Sequence, residues 1–200
     1  MLRCRLLPLG LALLIVGLAT GCSSTDGRTL PPPNALETTT TPSTPVIQTV
    51  PGGAFTLIGA SFVGGQAIPA ELSCQGSGLS PALSWTGTPA GTAELALVVR
   101  DRTADGFLHW VVTGIDPTVT GFGESGLPEG AAEAVNGAAV TGWSPPCPPA
   151  GDGVHFYEFA LHALPGALGV LPGSAGSTTA DLIEQASVTQ ATLIVTYSVE

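Results

Sequence analysis

Between Ala54 and Val199 the apolar residues fall into short runs rich in β-branched and aromatic side chains, separated by turn-forming glycine, proline, serine and aspartate. Ala54–Ile58, Ala93–Val99, Phe107–Thr113, His155–Ala163 and Ala191–Val199 have the length of strands, and Thr86-Gly-Thr-Pro-Ala-Gly91 and Pro165-Gly166 have the composition of turns. Glycine and proline are the poorest helix formers, and 27 glycines and 18 prolines leave little room for long helices. One stretch differs. Thr179-Ala-Asp-Leu-Ile-Glu-Gln-Ala186 places a capping residue before good helix formers, which predicts a short helix ahead of the last strand. The expectation is a mostly β fold, an antiparallel sandwich or barrel with one or two short helices, one of them near the C-terminus, rather than strand–helix alternation.

The start of the chain reads as an export signal over residues 1–21: Arg3 and Arg5 supply the positive end, and Leu6 to Gly21 carry no charge. The apolar run falls short of the roughly 20 residues of a membrane span, and Pro8 and Gly10 interrupt it. Leu18-Ala-Thr-Gly-Cys22 has the form of a bacterial lipobox, with Ala19 in place of the usual large aliphatic residue; Cys22 is then the acylated first residue of the mature chain. The alternatives are a secreted protein cut near Ala19 or Gly21, or an uncleaved anchor. Residues 22–51 hold Pro31-Pro-Pro33 and Thr38-Thr-Thr-Thr-Pro-Ser-Thr-Pro45, too little apolar surface to offset ordering entropy, and read as a lipidated disordered tether. The folded domain is expected over 52–200. The expected location is the extracytoplasmic side of a bacterial membrane or envelope.

Charge narrows the partners. The chain has no lysine, and removal of residues 1–21 leaves three arginines against fifteen acids, a net charge of about −12. Nucleic acid is bound by neutralising phosphates with cations, so no nucleic-acid partner is expected. Anionic headgroups gain little from such a surface, so membrane attachment is assigned to the acyl chain on Cys22.

Two segments distant in sequence carry the chemistry: Asp101 to Trp110, which contains His109, and Ser144 to Tyr157, which contains Cys147-Pro148-Pro149 and His155. In a strand alternate side chains share a face, so His155 and Tyr157 project together while Phe156 points away. An acid, two histidines and a tyrosine around a Pro-Cys-Pro-Pro turn can hold a small phosphate-type anion. The donors are imidazole N–H groups, the Tyr157 hydroxyl and backbone N–H groups of the Cys147–Gly151 turn. A lone histidine is more often satisfied by a local partner, and His162, of opposite strand parity to His155, is assigned to structure or surface. Cys74 and Cys147 remain once Cys4 is cleaved and Cys22 acylated; an oxidising compartment suits a disulfide, with buried thiols or a redox pair as alternatives. Trp85, Trp110 and Trp143 read as packing, the last two adjoining the pocket segments, where they could cover a ligand.

In these segments the chain resembles the phosphatidylethanolamine-binding protein family, in its bacterial Raf-kinase-inhibitor-like branch. The landmarks run in order: Phe55-Thr-Leu, Ile68-Pro69, Cys74-Gln-Gly76, Leu79-Ser80-Pro81-Ala-Leu-Ser-Trp85, Asp101, His109-Trp110 and Cys147-Pro-Pro to Tyr157. The resemblance spans roughly residues 53–200 and implies that family's antiparallel β-sandwich. It maps Asp101, His109, His155 and Tyr157 onto an anion site. Asp101 would hold an imidazole and favour its protonated form without touching the anion. The chain departs from the family segment at Arg102, Thr103 and Asp105, and Phe156 stands where the family has arginine.

With the anchor assigned to Cys22, the resemblance implies a surface-held binding module for a phospholipid headgroup or other phosphorylated group, able to modulate a partner enzyme, with no cofactor, no required metal and no common catalytic activity. One alternative is an inhibitor of an extracellular protease or kinase that presents the Ser144–Pro149 loop. Another is a hydrolase in which Asp101, His109 and His155 ligate zinc. Gly121-Phe-Gly-Glu-Ser-Gly126 matches a dinucleotide fingerprint in letters alone, because Leu127-Pro128 follows where a helix is required.

Overall fold

The structure is a computed structural model that describes residues 53–200. The expected signal, Cys22 and the tether lie outside the described residues. Among the described residues, eight strands form two antiparallel sheets. The smaller has the order β1 (Thr56–Gly59), β2 (Leu83–Thr86), β5 (Gly121–Phe122). The larger has the order β6 (Ala132–Glu133), β4 (Phe107–Ile115), β3 (Glu94–Asp101), β7 (His155–Leu164), β8 (Thr189–Tyr197). A 3-10 turn at Ala70–Leu72 and one α-helix, α1 (Gly176–Ala186), complete the elements.

The main core lies between the sheets, where Leu57, Leu83 and Trp85 meet Leu97, Val99, Trp110, Phe159, Leu161 and Val195. A second layer lies on the outer face of the larger sheet, where Ala180 and Ile183 of α1 cover Ala96, Val98, Leu108, Val111 and Leu164. This explains why Leu95-Ala-Leu-Val-Val99 is apolar without alternation: β3 is central and buried on both faces. At the sheet edge β8 alternates, with Ala191, Leu193, Val195 and Tyr197 inward.

The five expected strands exist with shifted ends. β1 starts two residues later than expected, β3 runs on to Asp101 and β4 to Ile115, while β8 spans Thr189–Tyr197. Three strands were not anticipated: β2 has four residues, and β5 and β6 have two each, too few to show a period. Sequence gives Gly121–Gly126 as a loop, but its first two residues are in β5, where Gly121 and Phe122 pair with Ser84 and Leu83. The helix begins at Gly176, not after a Thr179 cap. Thr179 lies in the first turn and donates its hydroxyl to the Ala175 carbonyl at 2.9 Å, and Ala175 bridges Val135. Tertiary pairing therefore sets the helix start.

Two irregularities in the β3–β4 register shape the functional end. Leu95 faces Ile115 but Leu97 faces Val112; Val99 faces Trp110 but Arg100 faces Leu108. The second shift leaves His109 as the extra residue of a bulge. Strict alternation would send His109 and Trp110 to opposite faces; the bulge turns both to the inner side, Trp110 into the core and His109 beside it.

Candidate functional site

The C-terminal end of β3 and the first residues of β4 and β7 lie side by side, because Asp101 pairs with Phe107 on one edge and Tyr157 on the other. A cavity of about 210 Å³ opens there, lined by Asp101, Phe107, His109, His155 and Tyr157, with Ser144–Pro149 as its far wall. All seven expected pocket residues, Asp101, His109, Cys147, Pro148, Pro149, His155 and Tyr157, line this one cavity. Ala104, Phe107, Ser144 and Pro145 also line it; Ala104, Phe107 and Pro145 are apolar, and Ser144 was placed in the pocket segment by sequence but not among its ligand-binding residues.

The wall is fixed at three points. The Ser144 N–H donates to the His109 carbonyl at 2.8 Å, and His109 Nδ1 donates back to the Ser144 carbonyl at 2.7 Å. The Cys74 N–H bonds the Pro146 carbonyl at 3.0 Å. A disulfide joins Cys74 to Cys147, with Cα atoms 5.3 Å apart. Proline at 148 and 149 offers no N–H, and the Gly151 N–H is taken by the Val199 carbonyl, so this turn presents fewer backbone donors than its composition implied.

Asp101 organises the polar side. Its Oδ1 accepts the N–H groups of Thr103 (2.8 Å) and Ala104 (3.2 Å), and its Oδ2 is 2.6 Å from His155 Nδ1. That bond raises the His155 pKa above its ordinary value, against the opposing pull of burial; a weaker bond to Asp152 adds to the rise. His109 goes the other way. Burial lowers its pKa, and the Ser144 carbonyl only partly compensates. Because its Nδ1–H donates to that carbonyl, neutral His109 carries a bare lone pair on Nε2. The two histidines are thus unequal: the surroundings of His155 favour its protonated, donating form and those of His109 its neutral, accepting form. Burial, with the Asp101 carboxylate second, pushes the Tyr157 phenol well above its usual range and keeps its proton in place.

Both Asp101 oxygens are engaged, and among the described residues no three His, Cys, Asp or Glu side chains converge to hold a metal ion. Trp110 is buried, donating its indole N–H to Glu133, and Trp143 packs against His109, Trp110 and Phe159; both are packing, not a cover for a ligand. His162 is buried on the outer face of the larger sheet.

The sequence profile of the phosphatidylethanolamine-binding protein family matches residues 59–198. The chain belongs to this family. A Mycobacterium tuberculosis protein named "Putative lipoprotein LppC" is 39% identical over 197 residues, 98% of this chain and 96% of its own. A Mycobacterium bovis UPF0098 protein is 35% identical over 199 residues, 98% of this chain and 94% of its own. The crystal structure of E. coli YbcL, described as a new member of the mammalian PEBP family, superposes with a TM-score of 0.69 at 27% identity, covering 74% of this chain and all of that one. Against the PEBP segment that the sequence resembles, Thr103 keeps a structural part: its hydroxyl accepts the Phe156 N–H at 3.1 Å and ties the β3–β4 turn to β7. Arg102 lies outside the cavity and grips Glu158 through two 2.9 Å bonds.

Proposed function

We propose that this PEBP-family domain is a membrane-anchored binding module for a small phosphate-type anion, with His155 as the charged donor. The observation that carries the reading is His155 held by Asp101 at 2.6 Å at the edge of a cavity whose volume, about 210 Å³, lies below the roughly 300–1,000 Å³ of drug-sized sites. That size suits a headgroup or a phosphoryl group. Tyr157 supplies a second donor, and neutral His109 accepts from a protonated phosphoryl oxygen. Anchoring through acylated Cys22 is supported by the Gly-Cys junction after the apolar run and by the name of the M. tuberculosis relative.

The test uses protein extracted from its own membranes, where a mass beginning at diacylated Cys22 meets the anchoring claim and an unmodified N-terminus elsewhere refutes it. Calorimetric titration of that material with phosphoethanolamine then compares variants. His155→Ala weakens binding by roughly 1.5–3 kcal/mol, the worth of a charge-assisted hydrogen bond, while His162→Ala leaves it unchanged. Affinity falls as pH rises through the elevated His155 pKa, above 6.5. Equal losses in the two variants, or no binding by the unaltered protein, count against the reading.

A further inference from the structure

His155 has two ring nitrogens, and both face carboxylates. Nδ1 meets Asp101; Nε2 lies 3.2 Å from Oδ2 of Asp152, three residues back in the chain. An imidazolium has two N–H donors and no more, so while Asp152 holds Nε2 nothing is left for an anion in the cavity. Asp101 is buried and fastened by three bonds. Asp152 is the opposite case: its side chain is 59% exposed and sits between Gly151 (φ 81°) and Gly153 (φ 94°), with open space around both glycines. Backbone bonds from Gly151 to Val199 and from Asp152 to Pro149 hold the turn itself. The Asp152 side chain can therefore swing into solvent without the loop moving.

We propose that Asp152 is an internal competitor for the anion, a specificity-determining carboxylate that occupies the His155 donor until a ligand displaces it. The inference rests on the anion reading above and adds a filter to it. Among the residues lining the cavity and Asp152, no lysine or arginine is present. The charged groups facing His155 are Asp101 from β3 and Asp152 from its own loop, while His109 from β4 and Tyr157 from β7 stay neutral. A free dianion therefore meets two carboxylates and one imidazolium. A ligand whose phosphoryl group is singly charged, or carries its own cation, meets less repulsion. Asp152 stands in water, which screens its bond to the buried His155, so the barrier is modest and reversible rather than absolute.

The test measures inorganic phosphate and phosphoethanolamine binding to the full chain and to its Asp152→Ala and Asp152→Asn variants, together with the His155 titration followed by NMR. Asp152 makes no core contact, and two replacements guard against an idiosyncratic one. Both variants are expected to bind inorganic phosphate about three- to tenfold more tightly, with a smaller gain for phosphoethanolamine, and the His155 pKa falls. If the unaltered chain binds phosphate and the variants bind no more tightly, the competition is overturned and the anion site stands. A His155 titration that does not move shows that Asp152 does not hold Nε2 and overturns the proposal equally. If neither the unaltered chain nor either variant binds phosphate or phosphoethanolamine, the anion reading falls and the competition with it.

Discussion

Three histidines in one domain are pushed in two directions, one pKa raised and two lowered, and their surroundings, not their residue type, decide which. His155 is raised by a carboxylate and His109 lowered by burial. His162 is lowered to about 4, by burial first and the nearby Arg100 charge second. Its Nδ1 meets the Ser187 hydroxyl at 3.1 Å, but its Nε2 is buried without a partner. A histidine kept neutral in the fold but free to protonate when unfolded favours the unfolded state as pH falls from 6.5 towards 4. The expected outcome is that His162→Leu changes stability little at pH 7 and raises it by about 2–3 kcal/mol at pH 4. Denaturant melts at the two pH values decide this; parallel losses in variant and unaltered protein would show that His162 is not an acid-sensitive point. Strand parity in the sequence separates His162 from His155, but no sequence signal distinguishes its buried state from an exposed one.

At the scale of elements, the β4 bulge and the α1 start show the same thing: pairing partners place residues that local propensity leaves open. Propensity favours a helix from Thr179, yet α1 starts at Gly176, against the Val135 carbonyl. A Cβ at 176 would collide with that backbone oxygen, and neither group is a flexible side-chain tip. Gly176→Ala, which raises helix propensity, is therefore expected to destabilise the domain by about 1–3 kcal/mol, the range of an overpacked core site. Thermal melts check it, and an unchanged or higher midpoint would mean that the backbone at Val135 gives way freely. The bulge at His109 was equally hidden, because nothing in the residues Leu108 to Val112 marks one extra residue.

For the whole molecule, the disulfide connects two regions that the sheets leave independent: the turn after Ala70–Leu72 and the wall of the cavity. It closes a separation of 73 residues, so in the chain-entropy account it stabilises by about 4 kcal/mol. A Cys74→Ser, Cys147→Ser double variant should lose most of that in denaturant unfolding and bind phosphoethanolamine more weakly as the Cys147–Pro149 wall loosens. An unchanged unfolding midpoint would show that the Cys74 N–H bond to Pro146 holds the wall alone. The β-rich class and the central strands were legible in the sequence, because apolar run length and turn residues are local properties of the chain; the His155–Tyr157 spacing is local too, but the grouping of Asp101 and His109 with them came from the resemblance to the family. Three further features depend on groups brought together from distant positions, which no local pattern encodes. They are the bulge that turns His109 inward, the unequal charge of the two cavity histidines, and the approach of Asp152 to a ring nitrogen already opposed by Asp101. Burial and pairing in the folded state alone decided them.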